Sequence, residues 1–137
     1  MVHFIITCDG GSRGNGTAEA EGYGSFLIQM PDQDKSIINS RVYGIGVTNN
    51  EAEYMSLIDA LNHVSDAFTA VSSDLKTIKL SIRMDSALVI GQMTGEWRIK
   101  SKNLIPLAVQ ARNLITLFGE TSFNKISGDE MKLILGH

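Results

Sequence analysis

Cysteine occurs once in this chain, at Cys8, so neither an intrachain disulfide nor a cysteine-based zinc site can form. No apolar run approaches the ~18 residues that a membrane span requires. The N-terminus lacks the charged start, long apolar stretch and small-residue cleavage site of a secretory signal. These absences set the expectation of a cytoplasmic protein with no membrane role. Basic residues are also scarce: 12 Lys and Arg stand against 15 Asp and Glu, for a net charge of −3. Proteins that grip nucleic acid are usually basic, at least locally, so any such grip here has to be confined to a patch. No internal repeat, low-complexity tract or linker interrupts the chain.

What remains is enough for one core. The chain has 137 residues, 43% of them hydrophobic, which fits a single domain over residues 1–137. Val2 to Thr7 reads as a buried strand. Gly10 to Gly16 reads as a turn cluster. Strands follow over Ala20 to Met30 and Ser36 to Ile45, separated by a turn over Pro31 to Asp34, and short connections of this kind imply an antiparallel meander. The period then changes. Tyr54, Leu57, Ile58, Leu61, Val64 and Phe68 fall at helical spacing, with Thr48 or Asn49 able to cap the start. Leu75 to Met84 returns to strand character, and Ser86 to Met93 reads as a short helix ending near Gly95. Asn103 to Phe118 reads as an amphipathic helix, and Thr121 to Ile126 as a last strand. Ser127 followed by Glu130 is a capping-box pattern that opens a final helix. Strands first and α/β alternation afterwards imply a mixed sheet with helices packed on it.

Two Asp residues, Asp9 and Asp85, each follow an apolar strand-like run, and between them an acidic helix opening carries Glu51 and Glu53. Carboxylates on separate elements suit a hard divalent cation, which takes oxygen ligands and leaves room for water and phosphate. Taken singly, Asp9 also reads as a turn residue and Asp85 as a helix cap.

The motifs Asp9-Gly10-Gly11-Ser12-Arg13-Gly14-Asn15-Gly16, Thr48-Asn49-Asn50-Glu51-Ala52-Glu53-Tyr54 and Asp85-Ser86-Ala87-Leu88-Val89 together resemble type 1 ribonuclease H. The stretches Gly95 to Lys100 and Asn103 to Leu107 are similar to its bacterial and archaeal members. The resemblance covers nearly the whole chain. It implies the ribonuclease H-like α/β fold: a five-stranded mixed sheet, with an antiparallel meander of the first three strands, parallel fourth and fifth strands, and helices on both faces.

It also implies an activity. The family hydrolyses the RNA strand of RNA–DNA hybrids with two Mg²⁺ or Mn²⁺ ions, leaving 5′-phosphomonoesters. Carried over, Asp9 would bridge both ions, and Glu53 and Asp85 would complete the metal set. Helical phase barely separates Glu51 from Glu53. The family's Glu follows a small residue, here Ala52, which selects Glu53 and leaves Glu51 as a helix-start acid that complements the helix dipole.

The family's fourth carboxylate is missing. An ungapped reading puts Leu135 at its place, and leucine cannot ligate. His137 is the candidate replacement, because neutral imidazole ligates or carries protons; Asp129 and Glu130, or no fourth residue at all, are the alternatives. Substrate contacts would come from Gly10, Gly11, Ser12, Asn15, Thr48, Asn49 and Asn50 on the RNA strand. Trp97, Arg98 and Lys100, with Lys102 beside them, would form a small cationic strip for the DNA strand. Ala87 stands where the family often has Gln, and the long basic insertion of some relatives is absent. The expected partner is an RNA–DNA hybrid bound by a monomer. A DNA nuclease of related fold, such as a junction resolvase, and a weakly active hybrid-binding module are the competing readings. His3 and Cys8 read as structural, and His63 as a residue of the outer face of the long helix.

Overall fold

The computed structural model describes residues 2–31, 36–70 and 74–136. Five strands form one sheet: β1 Val2–Arg13, β2 Glu21–Gln29, β3 Ser36–Ile45, β4 Ile78–Met84 and β5 Glu120–Lys125. Their order is β3-β2-β1-β4-β5. β1 pairs antiparallel with β2 and β2 with β3, while β4 runs parallel to both β1 and β5. Four helices connect and cover them: α1 Asn49–Ala70, α2 Ala87–Met93, α3 Ile105–Ile115 and α4 Gly128–Leu135. This is the expected architecture, meander first and parallel strands after.

Alternation along the strands explains where the helices lie. Phe4, Ile6 and Cys8 of β1 and Phe26 and Ile28 of β2 join the main core with Tyr54, Leu57, Leu61 and Val64 of α1. The opposite face of β2 presents Leu27, which packs with Met131 and Leu135 of α4. A residue period of two sends neighbours to opposite faces, so α1 and α4 cover different sides of the sheet.

Several boundaries differ from the sequence reading. β1 does not stop before Asp9. It continues to Arg13, because Gly10, Gly11, Ser12 and Arg13 pair with Gly24, Tyr23, Gly22 and Glu21 of β2; the turn begins only at Gly14. Leu75–Thr77 is a turn of 3-10 helix rather than strand, capped by Asp74, whose side chain accepts from the Lys76 N–H. α3 starts at Ile105, not Asn103, with Pro106 in its first turn, where a missing N–H is harmless. His63 is half-buried, its ring 5.7 Å from that of Phe26, instead of lying on an outer face. Most of the turn expected over Pro31 to Asp34 lies outside the described residues.

Candidate active site

Three side chains from three elements converge at one end of this sheet. Asp9 lies within β1, Glu53 in the first turns of α1, and Asp85 immediately after β4. Each offers a carboxylate oxygen, and these oxygens lie within 4.8 Å of one another. The approach depends on glycine. A Cβ at Gly10 would overlap the carbonyl of Ala52, so only glycine lets β1 come close enough to the start of α1 to set Asp9 beside Glu53. The Gly10 N–H then donates to Glu53 Oε1 at 2.7 Å.

The start of α1 is fixed by a reciprocal capping box. The Glu51 N–H donates to Thr48 Oγ1 at 3.2 Å, and the Thr48 N–H donates to Glu51 Oε1 at 3.1 Å. Thr48 is therefore the cap, and Glu51 is occupied with helix initiation. Glu53 is 6% exposed. Its Oε2 is buried without a hydrogen-bond partner.

The electrostatics follow from that packing. Burial, then the close carboxyl of Asp9 and its negative charge, push Glu53 up to about 9, against the opposing Gly10 N–H. Asp85 is also raised, by burial first and then by the charge of Asp9, with Lys125 acting in the opposite direction. Burial and the Glu53 charge raise the thiol of Cys8, which sits fully buried in the core. Three carboxylates forced together, one of them an orphaned buried oxygen, are the donor set of a hard divalent cation. A bound cation would reverse the mutual repulsion that raises these groups.

The remaining sequence candidates divide. The Ser12 N–H donates to Asn49 Oδ1 at 2.6 Å, and the Asn49 N–H to Asn15 Oδ1 at 2.9 Å. These bonds lock the end of β1 and its turn to the start of α1. Asn15, Thr48, Asn49 and Asn50 line a groove of about 310 Å³. Ser101, Asn103 and Leu104 form its other wall. Ser101 and Asn103 are additions to the sequence candidates, and the polar run before a Pro-initiated helix is the one signal in the sequence that marks them. Gly11 is buried against β2, where a Cβ would meet the Tyr23 hydroxyl at 2.6 Å.

Trp97 is 48% exposed. Its ring lies over Gly91, where a Cβ would come 2.5 Å from it, and the Trp97 backbone N–H donates to the Gly91 carbonyl at 2.9 Å. Beyond it, Ile99 packs into the core while Arg98 and Lys100 stay exposed on either side.

At the fourth position the family's carboxylate is replaced by an apolar side chain. Leu135 is core, 6% exposed and packed with Leu27 and Met131. α4 nevertheless begins at the site: a Cβ on Gly128 would lie 3.8 Å from Asp85 Oδ2. Asp129 and Glu130 do not join the carboxylate group among the described residues; the Glu130 N–H is capped by Ser127 Oγ at 3.1 Å. His137 lies outside the described residues.

Residues 16–131 match the family model described as reverse transcriptase-like. A bifunctional protein of Mycobacterium tuberculosis is 37% identical over 123 residues, covering 89% of this chain and 30% of that protein. Ribonuclease HI of Halobacterium salinarum is 34% identical over 119 residues, covering 86% of this chain and 53% of its own. The chain thus spans about a third to a half of the curated relatives it matches. Among solved structures, the N-terminal RNase H domain of the M. tuberculosis protein superposes with a TM-score of 0.79 at 28% identity, over 97% of this chain and 88% of that one. LC11 ribonuclease H1 in complex with an RNA/DNA hybrid gives 0.78 at 26% identity, over 93% and 87%.

Proposed function

This chain belongs to the reverse transcriptase-like family of ribonuclease H-fold domains, and on that premise we propose that it is an endonuclease cutting the RNA strand of RNA–DNA hybrids. The observation that carries the proposal is the meeting of Asp9, Glu53 and Asp85 within 4.8 Å, with Glu53 Oε2 buried and unpartnered. Two Mg²⁺ or Mn²⁺ ions held there would supply an activated water and charge stabilisation at the scissile phosphate.

The chain's own residues do the rest. Asp9 takes the central position, flanked by Glu53 and Asp85. The Gly10 N–H fixes one oxygen of Glu53, leaving Oε2 free to ligate. Asn15, Asn49 and Asn50, with Ser101 and Asn103 facing them, offer hydrogen-bonding groups to ribose 2′-hydroxyls, the feature that separates RNA from DNA. Trp97, Arg98 and Lys100 supply the aromatic and cationic contacts for the second strand. His137 is proposed as the fourth functional group. The protein acts as a cytoplasmic monomer in this reading.

The test is an assay with end-labelled RNA–DNA hybrid, RNA duplex, DNA duplex and four-way DNA junction, each in Mg²⁺ and in Mn²⁺. Cleavage confined to the RNA strand of the hybrid, with 5′-phosphate products, supports the proposal. Cutting of the junction favours a resolvase, and hybrid binding without turnover favours a binding module.

A further inference from the structure

Tyr54 directly follows Glu53 in α1, and Gln92 closes the short helix that follows Asp85. Tyr54 is fully buried and Gln92 is 3% exposed. The Tyr54 hydroxyl donates to Gln92 Oε1 at 2.6 Å. The Gln92 backbone carbonyl accepts from Arg112 Nη2 of α3 at 2.7 Å. Three helices therefore meet at one glutamine, and Tyr54 belongs to the main core with Leu57, Leu61, Val89 and Ala108.

Stability does not explain this pair. An apolar pair of the same shape would fill the space at little or no loss, because the net gain of a buried hydrogen bond is only about 1 kcal/mol. What the bond adds is direction. It fixes the rotation of the first turns of α1 against α2, and those two elements carry or adjoin Glu53 and Asp85. The carboxylate oxygens lie within 4.8 Å of one another, where like charges repel, so their spacing has to be imposed from outside.

We propose that Tyr54 and Gln92 are a positioning pair that sets the distance between Glu53 and Asp85 for divalent-metal binding. Neither touches the metal or the substrate. The inference rests on the metal-site reading given above and adds to it two residues that act through the ligands.

The test separates positioning from stability. Tyr54→Phe, Gln92→Leu and the double variant are compared with the wild type in thermal melts and in Mn²⁺ titration calorimetry without nucleic acid. Each single variant strands one buried polar group, so each lowers Tm and weakens Mn²⁺ binding about tenfold, as loss of groups orienting metal ligands typically does. The double variant restores an apolar match. It regains most of the lost Tm while Mn²⁺ binding stays about tenfold weaker. Recovery of Mn²⁺ affinity along with Tm, or wild-type affinity in all three variants, overturns the proposal. Absence of Mn²⁺ binding in the wild type overturns the metal site itself and this inference with it, a distinguishable result.

Discussion

Gly10 and Ala52 touch so closely that no side chain fits between them: a Cβ at position 10 would overlap the Ala52 carbonyl. That contact joins the strand of Asp9 to the helix of Glu53. Gly10→Ala forces the two apart. The expected result is a destabilisation of about 1–3 kcal/mol from overpacking, with loss of metal binding beyond what the lower stability explains. Thermal melts and Mn²⁺ calorimetry below the transition check it; wild-type affinity in a folded variant would show that the approach is not what builds the site.

Glu53→Gln and Glu51→Gln separate two carboxylates two residues apart. Gln at 51 keeps the acceptor that completes the capping box and loses only a helix-start charge worth under about 1 kcal/mol. Gln at 53 removes a proposed ligand, so cleavage should vanish there and survive at 51. Metal-free stability should move oppositely to activity. Glu53 holds its proton to about pH 9 when folded but only to its ordinary value when unfolded, so between these limits the native state binds more protons and stability falls as pH rises. Glu53→Gln removes that slope and is the more stable protein at pH 8. Equal loss of activity in both variants would mean that the helix register is misassigned.

The meander, the helical period from Tyr54 onward and the position of Asp85 after a strand were all legible, because burial imposes periods of 2 and 3.6 on the sequence. Ser127 with Glu130 announced α4, and Thr48 or Asn49 was a candidate cap for α1, whereas the box that Thr48 makes with Glu51 came only from the structure. The glycines after Asp9 were read as a turn, since Gly usually marks one. Here they extend a strand and admit close neighbours instead, a use that depends on Ala52 and Tyr23, which are distant in sequence. Leu135 stands at the family's acid by spacing, and its packing against Leu27 and Met131 could not be read from spacing alone. Tyr54–Gln92 was invisible, because a buried Tyr and Gln at remote positions carry no periodic signal.

Metal binding should be strongly pH-dependent. A divalent ion takes Glu53 as a carboxylate, and the free site holds that group protonated below about pH 9. Each binding event therefore releases a proton, and affinity rises with pH by up to about tenfold per unit until it levels off. Calorimetry in buffers of different ionisation enthalpy counts the protons. A flat profile between pH 6 and 9 would show that Glu53 is already ionised in the metal-free protein.

Deleting His137 should cut turnover by more than about tenfold while leaving hybrid affinity nearly unchanged, since a lost transition-state interaction lowers the chemical rate. The pH–rate profile should lose an ionisation in the histidine range. Leu135→Asp places a carboxylate beside Leu27 and Met131 and destabilises the fold. Full turnover without His137 would leave a site of three carboxylates.

The central claim is that Asp9, Glu53 and Asp85 together cut RNA in a hybrid. The direct measurement is single-turnover cleavage of an end-labelled RNA–DNA hybrid in Mg²⁺ by the wild type and by Asp9→Asn. The change is nearly isosteric and removes one ligand charge. Cleavage of the RNA strand by the wild type, and none by a folded, hybrid-binding Asp9→Asn protein, is the predicted result. Comparable cleavage by both proteins, or an intact hybrid with both, would contradict it.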